Sequence, residues 1–353
     1  MNINNYELDS KKIIKPAFKE NNVPISFFSD DKYVPYLGTA VFSAIVNAKP
    51  TTNLDILIFE NEYSDLNKQK LLLLAKNNKN ISIRFINLKY FIRQLKVNPS
   101  THVSINCFAK LFCTDYIFSN YKKVIVLDSD LLILKDLQDL YNFDMQGKMI
   151  AAAKDVFLKI MIKNGYHTDE RLKFIPLKQY SEELGLNEES YFNTGVILLD
   201  IKKCQENKVQ EQIIEINKKY PSMMYAAQDD FNILFKNQWA ELEPRWNFQN
   251  PYSLLAHIDD FPEGYLEKID TAWILHFLGK SKPWNDKNVW RSELFDNYAK
   301  ETEWFDEYLA RRKQYQRAHF LENLFFPKGS KRRSLYLKYQ YNKKMKSKNN
   351  ENN

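Results

Sequence analysis

One short segment constrains the fold of this chain most: residues 124–130 read VIVLDSD. Four successive apolar residues, two of them valine, are typical of a strand that is buried on both faces. The strand ends at Asp128 and Asp130, and alternate residues of an extended chain point the same way. Two ionised carboxylates held close together repel each other unless a cation lies between them. We therefore predict a site for a hard divalent cation at the C-terminal end of a central strand.

Apolar segments alternate with helical patterns through the first part of the chain. Strands are predicted at 25–28, 54–59 and 81–86, and helices at 35–47, 66–75 and 104–118. Strands that alternate with helices of about ten to fifteen residues indicate an α/β fold with a mostly parallel central sheet flanked by helices. Ligands bind beyond the carboxyl ends of the strands in such sheets. Asp30 and the Asp128/Asp130 pair both follow predicted strands, so we expect them to share one site.

Composition places the 353-residue chain among globular proteins, with 44% hydrophobic and 14% aromatic residues. It contains 8 glycines and neither a Walker nor a GxGxxG pattern, which excludes the common glycine-rich phosphate loops. The three cysteines match no zinc spacing, so we expect free thiols in a reducing cytosol. We expect no signal peptide, because residues 1–12 are polar, and no membrane span, because no apolar run approaches about 18 residues.

The basic charge of the chain is concentrated at its C-terminus. The net charge is +7, and the segment from Arg311 to the end holds 13 Lys and Arg residues against two acids. Basic residues interleaved with aromatic ones favour binding to an anionic membrane surface, with a solvated tail as the alternative. No motif of a nucleic-acid-binding fold precedes the tail, so we expect no nucleic-acid partner. The basic residues in question are Arg311, Arg312, Lys313, Arg317, Lys331, Arg332, Arg333 and Lys338.

His276 is the strongest candidate for a further ligand of the cation. It lies between apolar residues, where a histidine is more often a core residue than a ligand. Gly279 and Lys282 follow, supplying a backbone that can approach a ligand closely and a cation for phosphate oxygens. A neutral imidazole beside two carboxylates is coherent metal-binding chemistry. A phosphatase of the haloacid dehalogenase type is an alternative interpretation, although it would have Thr or Val in place of Leu132.

Five short blocks of the sequence resemble glycosyltransferase family 8, in the order in which that family has them. The family groups retaining enzymes such as bacterial lipooligosaccharide galactosyltransferases, lipopolysaccharide glucosyltransferases and glycogenin. The blocks read FSDDKY (28–33), LDSD (127–130), FNTGV (192–196), QD (228–229) and HFLGKSKPW (276–284). Each is weak by itself, but five in register form a specific signal. The resemblance implies a GT-A nucleotide-diphospho-sugar transferase fold, followed here by a helical, basic C-terminal extension.

The resemblance implies where the nucleotide of the donor would bind. Phe28, Ser29, Asp30 and Tyr33 would form the nucleotide pocket, with Asp30 on the uracil and Tyr33 packed near the base. Ser129 would meet the ribose through its backbone. The donor would be UDP-glucose or UDP-galactose.

The resemblance also implies a metal site beside that pocket. Asp128, Asp130 and His276 would coordinate Mn²⁺, with Mg²⁺ as the alternative, and Asp128 would thereby also contact the donor. Gly279 and Lys282 would hold the diphosphate oxygens. Metal and lysine together would neutralise the charge that develops on the leaving UDP.

For the sugar pocket, the resemblance implies a lining of Asn193, Thr194, Gly195 and Asp155. Gln228 would lie beneath the anomeric carbon of the sugar. A double displacement requires a carboxylate in that position, and a glutamine is a poor nucleophile. The implied mechanism is therefore attack by the acceptor hydroxyl from the face that the leaving group vacates, which gives retention.

Catalytic roles thus fall to Gln228 and Asp155, together with Asp229, the nearest carboxylate to Gln228 in the sequence. Two positions depart from the family pattern. Lys110 stands where the family often has an arginine that contacts the sugar or phosphate, and lysine lacks the bidentate fork of arginine. Ala227 stands where an aspartate commonly touches the hexose hydroxyls, which leaves the identity of the sugar open.

We predict a retaining hexosyltransferase that moves glucose or galactose from a UDP-sugar to a lipid-linked oligosaccharide such as lipopolysaccharide. It is expected in the cytoplasm, peripheral on the inner face of the bacterial cytoplasmic membrane. The predicted organisation is an N-terminal extension (1–22), a GT-A domain (23–290) and a basic, aromatic membrane-association segment (291–353). The alternatives are a glycogenin-like or protein-directed glucosyltransferase, a metal-dependent phosphatase, and an inactive module that binds sugar nucleotides or lipid.

Overall fold

A computed structural model of the chain describes residues 6–95, 110–169, 172–225, 227–250, 260–279, 282–325 and 332. Its strands are β1 (Glu7–Leu8), β2 (Asn22–Asp30), β3 (Asn53–Asn61), β4 (Ile81–Asn87), β5 (Lys123–Leu127), β6 (Leu131–Ile133), β7 (Ile150–Lys154), β8 (Phe192–Asp200), β9 (Ala240–Glu241), β10 (Phe248–Gln249) and β11 (Ile274–His276). Eight of these strands form the main sheet in the order β1-β4-β3-β2-β5-β8-β7-β9. All neighbours are parallel except β8, which is antiparallel to β5 and to β7. The predicted mostly parallel sheet is confirmed.

Helices flank this sheet, and several begin at the caps that the sequence offers. The helices are α1 (Val34–Val46), α2 (Asp65–Leu74), α3 (Leu88–Leu95), α4 (Leu137–Tyr141), α5 (Val156–Lys163), α6 (Leu177–Glu183), α7 (Ile201–Glu206), α8 (Val209–Lys219), α9 (Ala227–Leu234), α10 (Ser292–Ala299), α11 (Phe305–Ala318) and α12 (Phe320–Phe325). Pro35 lies in the first turn of α1, where its missing N–H costs no hydrogen bond. The Ser64 side chain caps α2, and that of Asp155 caps α5.

The central strand β5 is buried on both faces, as its four apolar residues predict. Val124 and Val126 pack on one face with residues of α3, α7, α8 and α9. Ile125 and Leu127 pack on the other face with residues of α1, α2 and α4. All four side chains are fully buried. The strand is therefore rigidly placed, and so is the start of the acidic turn (residues 128–130) that follows it.

A second sheet of three short strands, in the order β10-β11-β6, carries His276 to the acidic turn. Strand β11 is antiparallel to β6, and His276 is paired with Leu131, the residue after Asp130. The main-chain N–H of Phe277 donates to the carbonyl of Asp130 at 3.0 Å. This small sheet has no counterpart among the strands predicted from sequence, and it explains how residues far apart in the chain meet.

The segments on either side of the predicted catalytic domain both contact it. Glu7 of β1 pairs with Phe85 of β4 and extends the main sheet. Trp304, between α10 and α11, is 1% exposed and lies against Gly38 of α1, where a Cβ atom would come within 2.3 Å of the indole ring. The domain boundaries after residues 22 and 290 stay predictions. Of the helices in the described part of the chain, none has the length and apolarity needed to cross a membrane.

The predicted helix at 104–118 falls partly outside the described residues, which resume at Lys110. In the described part, a 3₁₀ turn spans Tyr116–Phe118, and the Asp115 side chain caps it by accepting from Ile117 N at 3.1 Å. An aspartate offers such a local cap more readily than it continues a helix, so the helix ends before the predicted position.

Asp230 on α9 is a buried acid that stands apart from the acidic turn. Its carboxyl is completely buried, and the Asn217 amide on α8 donates to it at 3.4 Å. Burial raises the pKa of Asp230 to about 8, against the effect of the Asn217 hydrogen bond and with a contribution from the neighbouring Asp229 carboxylate. The folded protein therefore keeps the proton of Asp230 at pH values where the unfolded chain has already lost it.

We predict that Asp230→Asn stabilises the protein, and that the gain grows as the pH rises from about 4 to about 8. Over that range the unfolded wild-type chain ionises while the folded protein stays protonated, which costs the wild type up to about 1.4 kcal/mol per pH unit. Urea unfolding at about pH 5 and about pH 8 measures the difference. The exposed Asp144→Asn serves as control, and a gain for Asp230→Asn that is equal at the two pH values would contradict the prediction.

Candidate active site

The acidic turn lies between β2 and β8, and hydrogen bonds to both strands hold it. Strands β2 and β5 are parallel neighbours, so their carboxyl ends meet at the same edge of the sheet. Ser129 Oγ donates to the carbonyl of Phe28 at the end of β2 at 2.7 Å. The N–H of Asp128 donates to the carbonyl of Gly195 in β8 at 2.8 Å. Asp30 and the Asp128/Asp130 pair thus lie at the same edge of the sheet, as predicted.

Asp128, Asp130 and His276 come together in one cluster. One ligand atom from each lies within 4.8 Å of the others. His276 Nε2 is 3.3 Å from Asp130 Oδ1 and 3.8 Å from Asp128 Oδ2. The imidazole is 2% exposed, and its Nε2 is buried with no hydrogen-bond partner among the described residues. A buried nitrogen that faces two carboxylates suits a divalent cation, since it supplies a borderline ligand beside two hard ones.

Each carboxylate of the pair also has an ammonium partner. Lys110 Nζ lies 2.7 Å from Asp128 Oδ1 and donates to the carbonyl of Thr194 at 2.7 Å. Lys282 donates to the carboxylate of Asp130. Burial by itself would raise the pKa of Asp130, but Lys282 and His276 outweigh burial and hold that pKa well below its usual value. Asp130 therefore stays ionised in the buried site.

The residues predicted to bind the nucleotide line the end of β2. Asp30 caps the following 3₁₀ turn by accepting from the N–H of Tyr33 at 3.0 Å. The Tyr33 ring makes an edge contact with Trp284, with 5.7 Å between ring centres. Burial raises the pKa of Tyr33, and the carboxylates of Asp130 and Asp128 raise it further. The aromatic rings of Tyr33 and Trp284 thus lie next to Asp128 and Asp130.

Three other residues that the sequence predicts to contact the donor lie in different local environments. Ser29 is buried and shares a short hydrogen bond with the Tyr63 hydroxyl. The Phe28 ring lies 5.5 Å from Lys110 Nζ. Gly279 has a φ of +64°, a conformation that favours glycine, where the chain leaves the small sheet after β11.

Gln228, which the sequence predicts to lie beneath the sugar, is held at both of its polar atoms. Its Oε1 accepts from the N–H of Thr194 at 3.1 Å, and its Nε2 donates to Asp155 Oδ2 at 3.2 Å. Asp155 also accepts from Asn193 Nδ2 at 2.9 Å and is buried. Asn232, which the sequence interpretation missed, joins α9 to β8 by accepting from the N–H of Phe192 at 2.8 Å. The glutamine amide is therefore fixed at both of its polar atoms.

Asp229 faces away from this group, into the core. Its two carboxylate oxygens accept hydrogen bonds of 2.6 Å from the hydroxyls of Tyr180 and Tyr191, and the N–H of Tyr225 donates at 2.9 Å. The carboxyl is completely buried, and burial raises its pKa despite these three donors. Such a carboxylate anchors α9, because three donors already bind it.

Gly195 makes room for the imidazole of His276. A Cβ atom at this position would come within 2.1 Å of His276 Cε1 and 2.6 Å of its Nδ1. The ring therefore packs directly against the backbone of β8. The sequence interpretation placed Gly195 in the sugar pocket, and the structure shows why a larger residue could not stand there with the histidine in place.

Residues 24–288 match the family described as Glycosyl transferase family 8. General stress protein A of Bacillus subtilis (strain 168) is 26% identical over 300 residues, which are 81% of this chain and 96% of that protein. Lipopolysaccharide 1,2-glucosyltransferase of Escherichia coli (strain K12) is 24% identical over 288 residues, covering 80% of this chain and 79% of that protein. Against two similar glycosyltransferases of Haemophilus influenzae and Streptococcus pneumoniae, the chain spans 62% and 46% of their length.

The fold is similar to that of the galactosyltransferase LgtC, solved in complex with donor and acceptor sugar analogues. The TM-score is 0.62 and the identity 26%, over 80% of this chain and 96% of that one. The predicted GT-A fold class is thereby confirmed. The matched residues include all five blocks, from FSDDKY at 28–33 to HFLGKSKPW at 276–284.

Proposed function

Because the chain belongs to glycosyl transferase family 8, we propose that it is a retaining hexosyltransferase that takes glucose or galactose from a UDP-sugar. The observation that carries the proposal is the convergence of Asp128, Asp130 and His276 at the carboxyl edge of the sheet, with Lys282 on Asp130. The choice of hexose and acceptor is supported by similarity to a lipopolysaccharide glucosyltransferase and to a galactosyltransferase. The acceptor is then a sugar of lipopolysaccharide or lipooligosaccharide.

Asp128, Asp130 and His276 would hold Mn²⁺, or alternatively Mg²⁺. When bound there, the cation supplies positive charge to the diphosphate as it leaves. Lys282 contributes a second positive charge, and with Gly279 it binds the diphosphate oxygens. A low-dielectric site strengthens these interactions relative to water, because burial excludes competing solvent.

The nucleotide end of the donor lies against β2 in this proposal. Asp30 binds the uracil, Tyr33 packs near the base, and the backbone of Ser129 meets the ribose. Phe28 and Ser29 shape the floor of the pocket, and the short bond of Ser29 to a core tyrosine keeps that floor in place.

Retention follows from the arrangement on the sugar side. Gln228 lies below the anomeric carbon in this proposal, and its amide is locked by Asp155 and the N–H of Thr194. The nearest carboxylate along the helix, Asp229, is engaged by three donors in the core. We therefore assign Asp155 and Asp229 positioning roles. The acceptor hydroxyl attacks on the face that UDP leaves, and Asn193 lies at the wall of the sugar pocket.

The C-terminal helices support a peripheral position on the inner face of the bacterial cytoplasmic membrane. Phe320, Leu324 and Phe325 of α12 are about three-fifths exposed, and Lys313 and Arg317 precede them. Apolar side chains beside basic ones fit an anionic membrane surface. Much of the predicted basic tail lies outside the described residues.

Two of the predicted tail cations serve the fold. Arg311 donates to the carbonyl of Lys32, and Arg312 is buried and bonded to Asp296. We therefore place the membrane contact in the residues after Arg312.

We predict that Asp130→Ala abolishes Mn²⁺-dependent release of UDP from UDP-glucose or UDP-galactose, since it removes a metal ligand and the partner of Lys282. A panel of UDP-sugars with and without Mn²⁺, scored for UDP, measures this effect and identifies the hexose. Asp139→Ala removes a partly exposed acid on α4 and should keep wild-type activity. Wild-type activity in Asp130→Ala, with native thermal stability, would contradict the proposal.

A second prediction concerns the membrane. Replacing Phe320, Leu324 and Phe325 with serine should weaken sedimentation with phosphatidylglycerol vesicles while UDP release from the donor continues, because the apolar contact is lost and the active site is untouched. As the matched control, Ile13, Leu66 and Leu73 are exposed elsewhere on the surface, and serine there should leave vesicle binding as it is. Equal vesicle binding by the two triple variants would refute the proposed membrane face.

A further inference from the structure

Asn247 is a buried polar residue beside His276, on the side of the ring away from Asp128 and Asp130. It ends the 3₁₀ turn Pro244–Asn247, immediately before β10, and is 1% exposed. Asn247 Oδ1 is 2.9 Å from His276 Nδ1, the ring nitrogen on the far side from Asp128 and Asp130. Its Nδ2 donates to Asn193 Oδ1 at 2.9 Å. Asn247 thus stands between a proposed metal ligand and a residue of the proposed sugar pocket.

The orientation of Asn193 is fixed by two partners whose roles are unambiguous. The N–H of Gly195 is only a donor, and it lies 2.8 Å from Asn193 Oδ1. The carboxylate of Asp155 is an acceptor, and it receives Asn193 Nδ2 at 2.9 Å. Both contacts require the same assignment of the amide oxygen and nitrogen, so the side chain of Asn193 presents an oxygen to Asn247.

This orientation of Asn193 determines the hydrogen-bonding roles of Asn247 and then of His276. Facing an oxygen, Asn247 must present its NH₂ group to Asn193, which leaves its carbonyl oxygen for His276. A carbonyl oxygen only accepts, so Nδ1 of His276 carries a proton. In the neutral imidazole the lone pair then resides on Nε2. That nitrogen is the one 3.3 Å from Asp130 and 3.8 Å from Asp128.

We propose that Asn247 is a positioning residue, which fixes His276 in the Nδ1–H tautomer and aims the Nε2 lone pair at the metal. The inference rests on the proposed function, in which His276 is a metal ligand. Metal-binding histidines commonly donate their second N–H to an oxygen acceptor, which fixes the tautomer and the ring orientation. Gly195 supports the same orientation, because the ring packs against the backbone of β8 without an intervening Cβ.

The same contacts join the two halves of the active site. Asp155 accepts from Gln228 and also from Asn193, and Asn193 holds Asn247 against His276. A single carboxylate thus anchors the amide below the sugar and, through two asparagines, the imidazole at the metal.

The test compares Asn247→Leu with Asn247→Asp in the full chain, using Mn²⁺ alone as the probe. Leucine removes the acceptor for Nδ1–H, and we expect Mn²⁺ affinity by calorimetry to fall about 10–100-fold. Aspartate restores an acceptor for Nδ1–H, so its affinity should be clearly closer to that of the wild type. Asn217→Leu removes another buried amide, on α8, and should leave Mn²⁺ affinity unchanged.

A spectroscopic readout separates tautomer control from a general loss of structure. Pulsed EPR of bound Mn²⁺, on protein labelled with ¹⁵N-histidine, detects an imidazole nitrogen on the metal, and His276→Ala identifies its source among the five histidines. We expect the nitrogen signal in the wild type and in Asn247→Asp, and its loss in Asn247→Leu at saturating Mn²⁺. Thermal unfolding of each variant shows that the fold persists.

Three results would overturn the inference. Wild-type affinity in Asn247→Leu would do so, as would a retained nitrogen signal in that variant or an equal loss of affinity in Asn217→Leu. If the wild type binds Mn²⁺ and gives the nitrogen signal, these results leave the proposed function standing. Absence of Mn²⁺ binding in the wild type would overturn the metal site itself and the inference with it.

Discussion

Mutual repulsion between Asp128 and Asp130 is the constraint on which the active site depends. Two carboxylates at the end of a strand that is buried on both faces cannot both stay ionised without nearby positive charge. The fold brings Lys110 to one carboxylate and Lys282 to the other, and it aims the Nε2 atom of His276 between them. A divalent cation would also offset the negative charge of the two carboxylates. It would lie at the edge of the sheet where a diphosphate would bind.

Rigid secondary structure places these groups with little freedom. Strand β5 is packed on both faces, and its acidic turn is bonded to β2 and β8. The small sheet sets His276 opposite Leu131 by main-chain pairing, so the imidazole is positioned by strand register. Gly195 then permits the ring to lie against β8. Active sites built on strands hold their geometry better than sites built on loops, because backbone hydrogen bonds fix each position.

Patterns within short segments of the sequence predict those parts of the fold and of the site that a single segment forms by itself. The alternating strands and helices predict the sheet, and the acidic pair after VIVL predicts the cation site. The pairing of β11 with β6 could not be predicted from periodicity, since two three-residue strands carry no pattern. The engagement of Asp229 by Tyr180 and Tyr191, and of Asn247 by His276, depends on tertiary packing across long stretches of chain. His276 is a candidate because Gly279 and Lys282 follow it, and because its block resembles a known family.

The most direct test of the account is a crystal structure grown with Mn²⁺ and UDP, with diffraction recorded at the manganese absorption edge. We predict one strong anomalous peak between the carboxylates of Asp128 and Asp130 and the Nε2 atom of His276, in contact with the diphosphate. UDP bound at this edge of the sheet with no anomalous peak among those three side chains, or with the peak at other residues, would contradict it.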